Sequence, residues 1–295
     1  MKISKIIQGL IIVLIIQACA SSVNTTKLSE DGNTAYNAGN YETALIAWEQ
    51  IIENSESKGK KAKGPAYVGA GKSALKLEQN DKAIKYLETA REISYSSPEM
   101  YESLAIVYKN IDNLSKEISA LETYRKFYPQ GEKISAINTR LFETYIESEN
   151  WDLAVKLWPE IETLAQSNVN LLGGYLLVNI SMQNKNTCDK LASQILKLDK
   201  NNIIALEYLA NKYYEMAENL YITEMKAYKE NRTNKQYARL LKALDEVYPN
   251  FRKSRDYYLR LYKIEPKKDY ANYLGNIFTR LDDKEKADFY YKKAK

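Results

Sequence analysis

Three features of the chain predict an all-α fold assembled from short antiparallel helix pairs. Only 11 Gly and 6 Pro punctuate 295 residues, so tight turns are few. The stretches between them are rich in Leu, Ala, Lys, Glu and Tyr, and with 45% hydrophobic and 27% charged residues the chain can bury a core. One pattern of small and aromatic residues also recurs, stepping 34 residues from Tyr67 to Tyr101.

The first segment, 1–18, reads as a leader. Lys2 and Lys5 precede the apolar run Leu10-Ile11-Ile12-Val13-Leu14-Ile15-Ile16, and the small residue Ala18 precedes Cys19. The run is short for a permanent span, since a hydrocarbon core of about 30 Å takes roughly 20 apolar residues. Ile16-Gln17-Ala18-Cys19 resembles the lipobox of bacterial lipoproteins, which implies cleavage before Cys19 and lipid attached to it. Buried acyl chains at about 0.8 kcal/mol per methylene can hold a soluble domain on a bilayer. An ordinary signal peptide that ends beside a cysteine and a permanent anchor are the alternatives. Residues 19–27 are small and polar, as suits a flexible tether. No acidic cluster follows Cys19, so nothing resembles an export tag for the outer surface. The expected location is the bacterial cell envelope, lipid-anchored to the outer membrane and facing the periplasm.

Residues 28–202 carry about five repeats. The first, "GNTAYNAGNYETALIAW", sets Gly32, Gly39, Tyr41, Ala44 and Trp48 in series. Tyr67, Gly71, Ala83, Leu87 and Ala90 take equivalent places in the second, and Tyr101, Leu104, Ala105, Tyr108, Leu121 and Pro129 in the third. Leu141, Tyr145, Trp151, Ala154 and Trp158 mark the fourth; Leu172, Tyr175, Cys188 and Ile195 mark the fifth, where Cys188 reads as a small buried hydrophobe. The loop Asn54 to Gly64 lengthens the first repeat and reads as a solvated turn. Residues 203–266 break the period and form an enlarged variant: one long helix from Ile203 to Glu230, an interruption at "NRTN", then a pair of helices split near Pro249. Residues 267–295 close with a clear hairpin containing Gly275, Phe278, Ala287, Tyr291 and Ala294.

This series resembles the tetratricopeptide family over residues 28–295. The resemblance implies a right-handed superhelical solenoid whose first helices line a concave face, with binding residues at exposed first-helix positions. By the helix period these are Asn33, Tyr36 and Asn37; Lys72 and Lys76; Glu102, Lys109 and Asn110; Glu143 and Glu147; Glu207, Asn211 and Tyr214; and Asn276 and Arg280. Relatives that clamp the terminal carboxylate of a chaperone use Lys, Arg and Asn where this chain has Ser29, Asn33, Gly69, Glu102 and Ile106. Only Asn33 matches, so that function is not expected.

Composition narrows the rest. There is no histidine, the commonest general base and zinc ligand, and Cys19 and Cys188 are the only cysteines. Glu143 and Glu147 could in principle act as an acid–base pair on a glycan, but i, i+4 spacing is ordinary on a helix surface. With no glycine-rich loop or nucleophile motif, no enzyme, cofactor or metal is expected. From Leu220 to Lys295 there are 19 Lys and Arg against 11 Asp and Glu, a net of +8, which leaves about −5 for Cys19 to Asn219. Of the 25 tyrosines, 14 follow residue 200. Together with Arg252, Lys253, Arg255 and Arg260 they make the variant unit a candidate second surface for an acidic partner or anionic lipid. The leader directs the chain out of the cytoplasm, so nucleic acid is not an expected partner. The function expected is a membrane-anchored scaffold that presents its solenoid to another envelope protein, in the manner of an outer-membrane assembly or secretion complex. The essential lipoprotein of the β-barrel assembly complex is similar in architecture, though it has fewer units. The alternative is a capture protein that holds a peptide or cell-wall fragment in the concave groove.

Overall fold

A computed structural model describes residues 24–295; the leader, Cys19 and the start of the expected tether lie outside the described residues. The described residues form fourteen helices and no strand. The chain divides into two compact units, one ending at Ile111 and the other running from Asp112 to Lys295.

The first unit contains α1 (Thr25–Asn37), α2 (Tyr41–Glu56), α3 (Gly64–Lys76), α4 (Asn80–Glu92) and α5 (Pro98–Asn110). Helix α1 begins inside the stretch expected to be tether, because the Asn24 side chain accepts the Lys27 N–H and caps it. Its packing rests on one ring: Trp48 of α2 is 4% exposed, and a Cβ on Gly32 of α1 or Gly69 of α3 would come within 2.8 or 2.4 Å of its Cε2. Glycine at both places lets two helices close on a tryptophan. The loop between α2 and α3 is pinned as well as solvated. Ala62 is buried and donates its N–H to the Tyr67 hydroxyl, which in turn donates to Glu56.

The second unit contains α6 (Leu114–Phe127), α7 (Ile134–Glu147), α8 (Trp151–Ala165), α9 (Val169–Ser181), α10 (Lys185–Leu198), α11 (Ile203–Glu230), α12 (Asn234–Ile264), α13 (Lys268–Arg280) and α14 (Lys284–Ala294). Turns inside the hairpins repeat one device. Gly39, Glu78, Glu149, Gln183 and Asp282 each take a left-handed backbone conformation between a first and a second helix. Cys188 is 1% exposed, and burial followed by the Asp189 charge pushes its thiol pKa up, as suits an inert packing residue.

The enlarged unit departs from expectation in one respect. Residues 234–264 form a single helix that passes through Pro249 rather than two helices split there. Pro249 is exposed, so its ring meets solvent, and its flanks are fastened to α11. Phe251 and Val247 are fully buried there, and the Ser254 hydroxyl donates to the Ala210 carbonyl at 2.8 Å. The gain from packing along α11 outweighs the one helical hydrogen bond that proline cannot make.

Candidate functional site

Helices α9 and α11 are the first helices of consecutive units and lie side by side, with α10 behind them. Helix α9 has the sequence VNLLGGYLLVNIS, uncharged and apolar on more than one face, so burying Leu171, Leu172 and Leu176 leaves Leu177 and Ile180 facing out. On α11 Met216 is likewise left exposed. These side chains and Ile204 form the apolar wall of a groove of about 530 Å³. The size suits a short peptide segment or a small ligand.

The polar side of the groove is held from beneath. Tyr258 of α12 is 1% exposed and donates its hydroxyl to the side-chain oxygen of Asn211, which lines the groove. Tyr270 of α13 donates in the same way to Glu207. At the groove's edge the Lys212 ammonium meets Asp189 at 2.6 Å, and the Tyr208 hydroxyl donates to the same carboxylate at 2.8 Å. Partial burial raises the Asp189 pKa, but the hydrogen bonds from Lys212 and Tyr208 outweigh it and hold the carboxyl below its ordinary value. Burial first, then the Glu207 contact, pushes the Tyr270 hydroxyl up to about 12.

Of the residues read from the sequence as lining, Glu207 and Asn211 reach this groove. Others are engaged within the fold. Arg140, 21% exposed, binds Glu117 at 2.6 Å, Glu147 at 2.8 Å and Glu143 at 3.2 Å, so Glu143 and Glu147 surround a cation rather than an open site. Tyr214 is half-buried with its edge toward Phe251 and Tyr273. Asn276 accepts from the Tyr291 hydroxyl at 2.9 Å. Arg280 forms a fork with Glu218 and lies 4.4 Å over the Tyr221 ring.

In the first unit, Tyr36, Lys72 and Glu102 converge. The Lys72 ammonium sits 4.9 Å over the Tyr36 ring, and burial, then Tyr41 and Glu102, raise the Tyr36 hydroxyl. Asn33, Asn37, Lys76 and Lys109 are exposed, while Asn110 donates to Asn80 at 3.4 Å at the helix ends. Leu177, Ile180, Ile204 and Met216 are missing from the residues the helix period selects, because apolar side chains at such positions look like packing. The signal that could have found Leu177 and Ile180 is the excess of apolar residues on α9 over what one buried face needs; Ile204 and Met216, on α11, carry no such signal.

The C-terminal tyrosines are mostly structural. Tyr258 stacks on Tyr273 at 4.7 Å, and Tyr290 stacks on Phe278 at 5.6 Å while meeting Tyr262 edge-on. Among the basic residues singled out beside them, Arg255 pairs with Asp256, Arg260 donates to the Lys200 carbonyl, and Lys253 lies 4.9 Å over Tyr213.

Solved structures resemble this arrangement. The crystal structure of YrrB, a TPR protein with an unusual peptide-binding site, aligns with a TM-score of 0.52 at 13% identity, over 63% of this chain and 91% of that one. A structure of MamA (AMB-1) aligns with a TM-score of 0.50 at 14% identity, over 62% of this chain and 96% of that one. No protein-family model and no curated protein matches the sequence. The fold is the tetratricopeptide fold, and at these identities the likeness speaks for the fold alone.

Proposed function

We propose that this chain is a protein-interaction scaffold of the bacterial cell envelope, held at a membrane through Cys19, that binds a segment of a partner protein in the groove between α9 and α11. The observation that carries the reading is an apolar wall left open beside fixed polar groups. Leu177, Ile180 and Met216 are 36%, 38% and 43% exposed and share one groove with Asn211 and Glu207, each of which accepts a hydrogen bond from a tyrosine of the core. Apolar side chains of a partner would cover the wall, and its backbone carbonyls would accept from Asn211. That is a binding chemistry, and the thiol among the lining residues, Cys188, is 1% exposed with its pKa pushed up by burial. YrrB, described as having a peptide-binding site, offers a precedent for the fold.

The envelope part of the proposal rests on the leader and on the lipobox-like Ile16-Gln17-Ala18-Cys19. Affinity purification from the native bacterium after mild crosslinking, beside a Cys19→Ala control, tests it. A stoichiometric set of envelope proteins recovered with the wild type and depleted in the control is the expected result. Recovery of the chain alone would turn the groove toward a small ligand, and recovery of cytoplasmic proteins by both forms would overturn the location.

A further inference from the structure

The turn end of the α11–α12 hairpin takes no part in the groove. Helix α11 is about 42 Å long at 1.5 Å per residue, roughly twice the length of α9, and α13 makes its last ion pair and ring contact with it at Glu218 and Tyr221. Farther out the two long helices hold each other. Glu224, 4% exposed, accepts from Arg239 at 3.0 Å and Gln236 at 3.3 Å, and the Tyr228 and Tyr237 rings meet at 5.6 Å. The Thr233 hydroxyl caps α12 at the turn. This end is therefore built, with its own buried polar anchor.

Its surface chemistry differs from that of the groove. Residues 222–242 carry six cations, Lys226, Lys229, Arg232, Lys235, Arg239 and Lys242, against Glu224 and Glu230, six minus two for a net of +4. Arg239 is taken up by Glu224, and Lys226 lies 4.0 Å from Glu230. Lys229, Arg232, Lys235 and Lys242 make no ion pair among the described residues. Between the cations stand Ile222, Tyr237 and Leu241, 50%, 48% and 46% exposed, the last two four residues apart on one face of α12. Cations alone would suit any polyanion. Cations interleaved with half-exposed apolar and tyrosine side chains, beside an open hollow of about 450 Å³ along α11 lined by Ile222, Met225, Lys226, Lys229 and Glu230, match the interface of a bilayer. There the ammonium and guanidinium groups meet phosphates while amphipathic rings settle at headgroup depth.

We propose that the turn end of the α11–α12 hairpin, from Ile222 to Lys242, docks on a lipid surface bearing anionic headgroups. The four free cations supply the attraction, and Tyr237 and Leu241 enter the headgroup layer. This contact is separate from lipid attachment at Cys19 and from the groove, so it stands or fails without either.

The test uses the full chain in a Cys19→Ser background, with an environment-sensitive fluorophore on Ala238→Cys. Cys188 is buried and stays unlabelled in the folded protein. The leader is common to every form, and the probe reports only the hairpin end. Phosphatidylcholine vesicles containing phosphatidylglycerol should shift the emission to the blue, salt should weaken the shift, and pure phosphatidylcholine should give none. Lys229→Gln, Arg232→Gln and Lys235→Gln should each lower partitioning about fivefold, from ~1 kcal/mol per cation near the surface, with circular dichroism unchanged. Equal shifts on neutral vesicles, or a shift indifferent to the three substitutions, would overturn the proposal. A shift with polyglutamate and none with vesicles would assign the end to an acidic polypeptide and overturn it too.

Discussion

The regions around Trp48 and around Tyr258 solve the same packing problem in opposite ways. Near Trp48, two glycines bring α1 and α3 against an apolar ring. Near Tyr258, the core of the enlarged unit includes rings that end in hydroxyls, and those hydroxyls find polar partners in Asn211 and Glu207. Packing at Trp48 serves only the fold. Tyr258 and Tyr270 also hydrogen-bond to two residues of the groove, so that in the second unit the core reaches the candidate site.

The largest expected effect breaks the simpler side. Trp48→Ala removes a buried ring between two glycines that cannot fill the gap, at about 3–5 kcal/mol. Denaturant unfolding, with hydrogen exchange of α1–α3, measures it. A loss under about 1 kcal/mol would mean that the ring does not organise those helices. Next comes alkaline pH, which separates polar-tipped packing from apolar packing. The Tyr270 pKa is raised from 10.0 to about 12, so the neutral phenol is favoured by folding. That contribution is complete below pH 10 and is lost as pH rises through about 12. Ultraviolet titration of the wild type against Tyr270→Phe checks it, and ionisation of Tyr270 at its ordinary pH in the folded chain would contradict it.

Smaller still, Tyr258→Phe keeps the ring and deletes the hydroxyl that holds Asn211. A stability loss of about 1 kcal/mol should accompany a measurable fall in partner capture. Stability lost with capture intact would show that packing and site are not coupled there. Smallest is Gln183→Gly, in the left-handed turn between α9 and α10. Relief of a left-handed cost of roughly 1–2 kcal/mol, offset by about 0.5–1 kcal/mol of glycine entropy, predicts a gain of about 1 kcal/mol or less. A loss in thermal unfolding would show that the Gln183 side chain matters to the turn.

The contrast between the two regions also explains what the sequence revealed. Gly32, Ala44 and Trp48 announce a repeat because packing needs a small or a large residue at a fixed offset, and Gly39 because the turn between α1 and α2 takes a left-handed backbone. The length of α11 was legible from an unbroken helical period ending at "NRTN". The continuity of α12 through Pro249 was not, because local propensity argues for a break and only burial of Val247 and Phe251 against α11 overrides it. At the groove, Glu207 and Asn211 were legible as exposed first-helix positions. Leu177, Ile180 and Met216 were hidden, since an apolar residue one position off a buried stripe looks like core until its neighbours are known. Glu143 and Glu147 show the converse: they have the right period, but Arg140 neutralises them from the same helix.

The most direct test of the central claim is site-specific photocrosslinking in the living bacterium. A photoreactive residue replaces Leu177, Ile180 or Met216 in turn, with Lys190 on the second helix α10 as control. The account predicts that all three groove positions capture the same partner protein and that the Lys190 position does not. Capture at Lys190 with none in the groove, or unrelated proteins at the three groove positions, would contradict it.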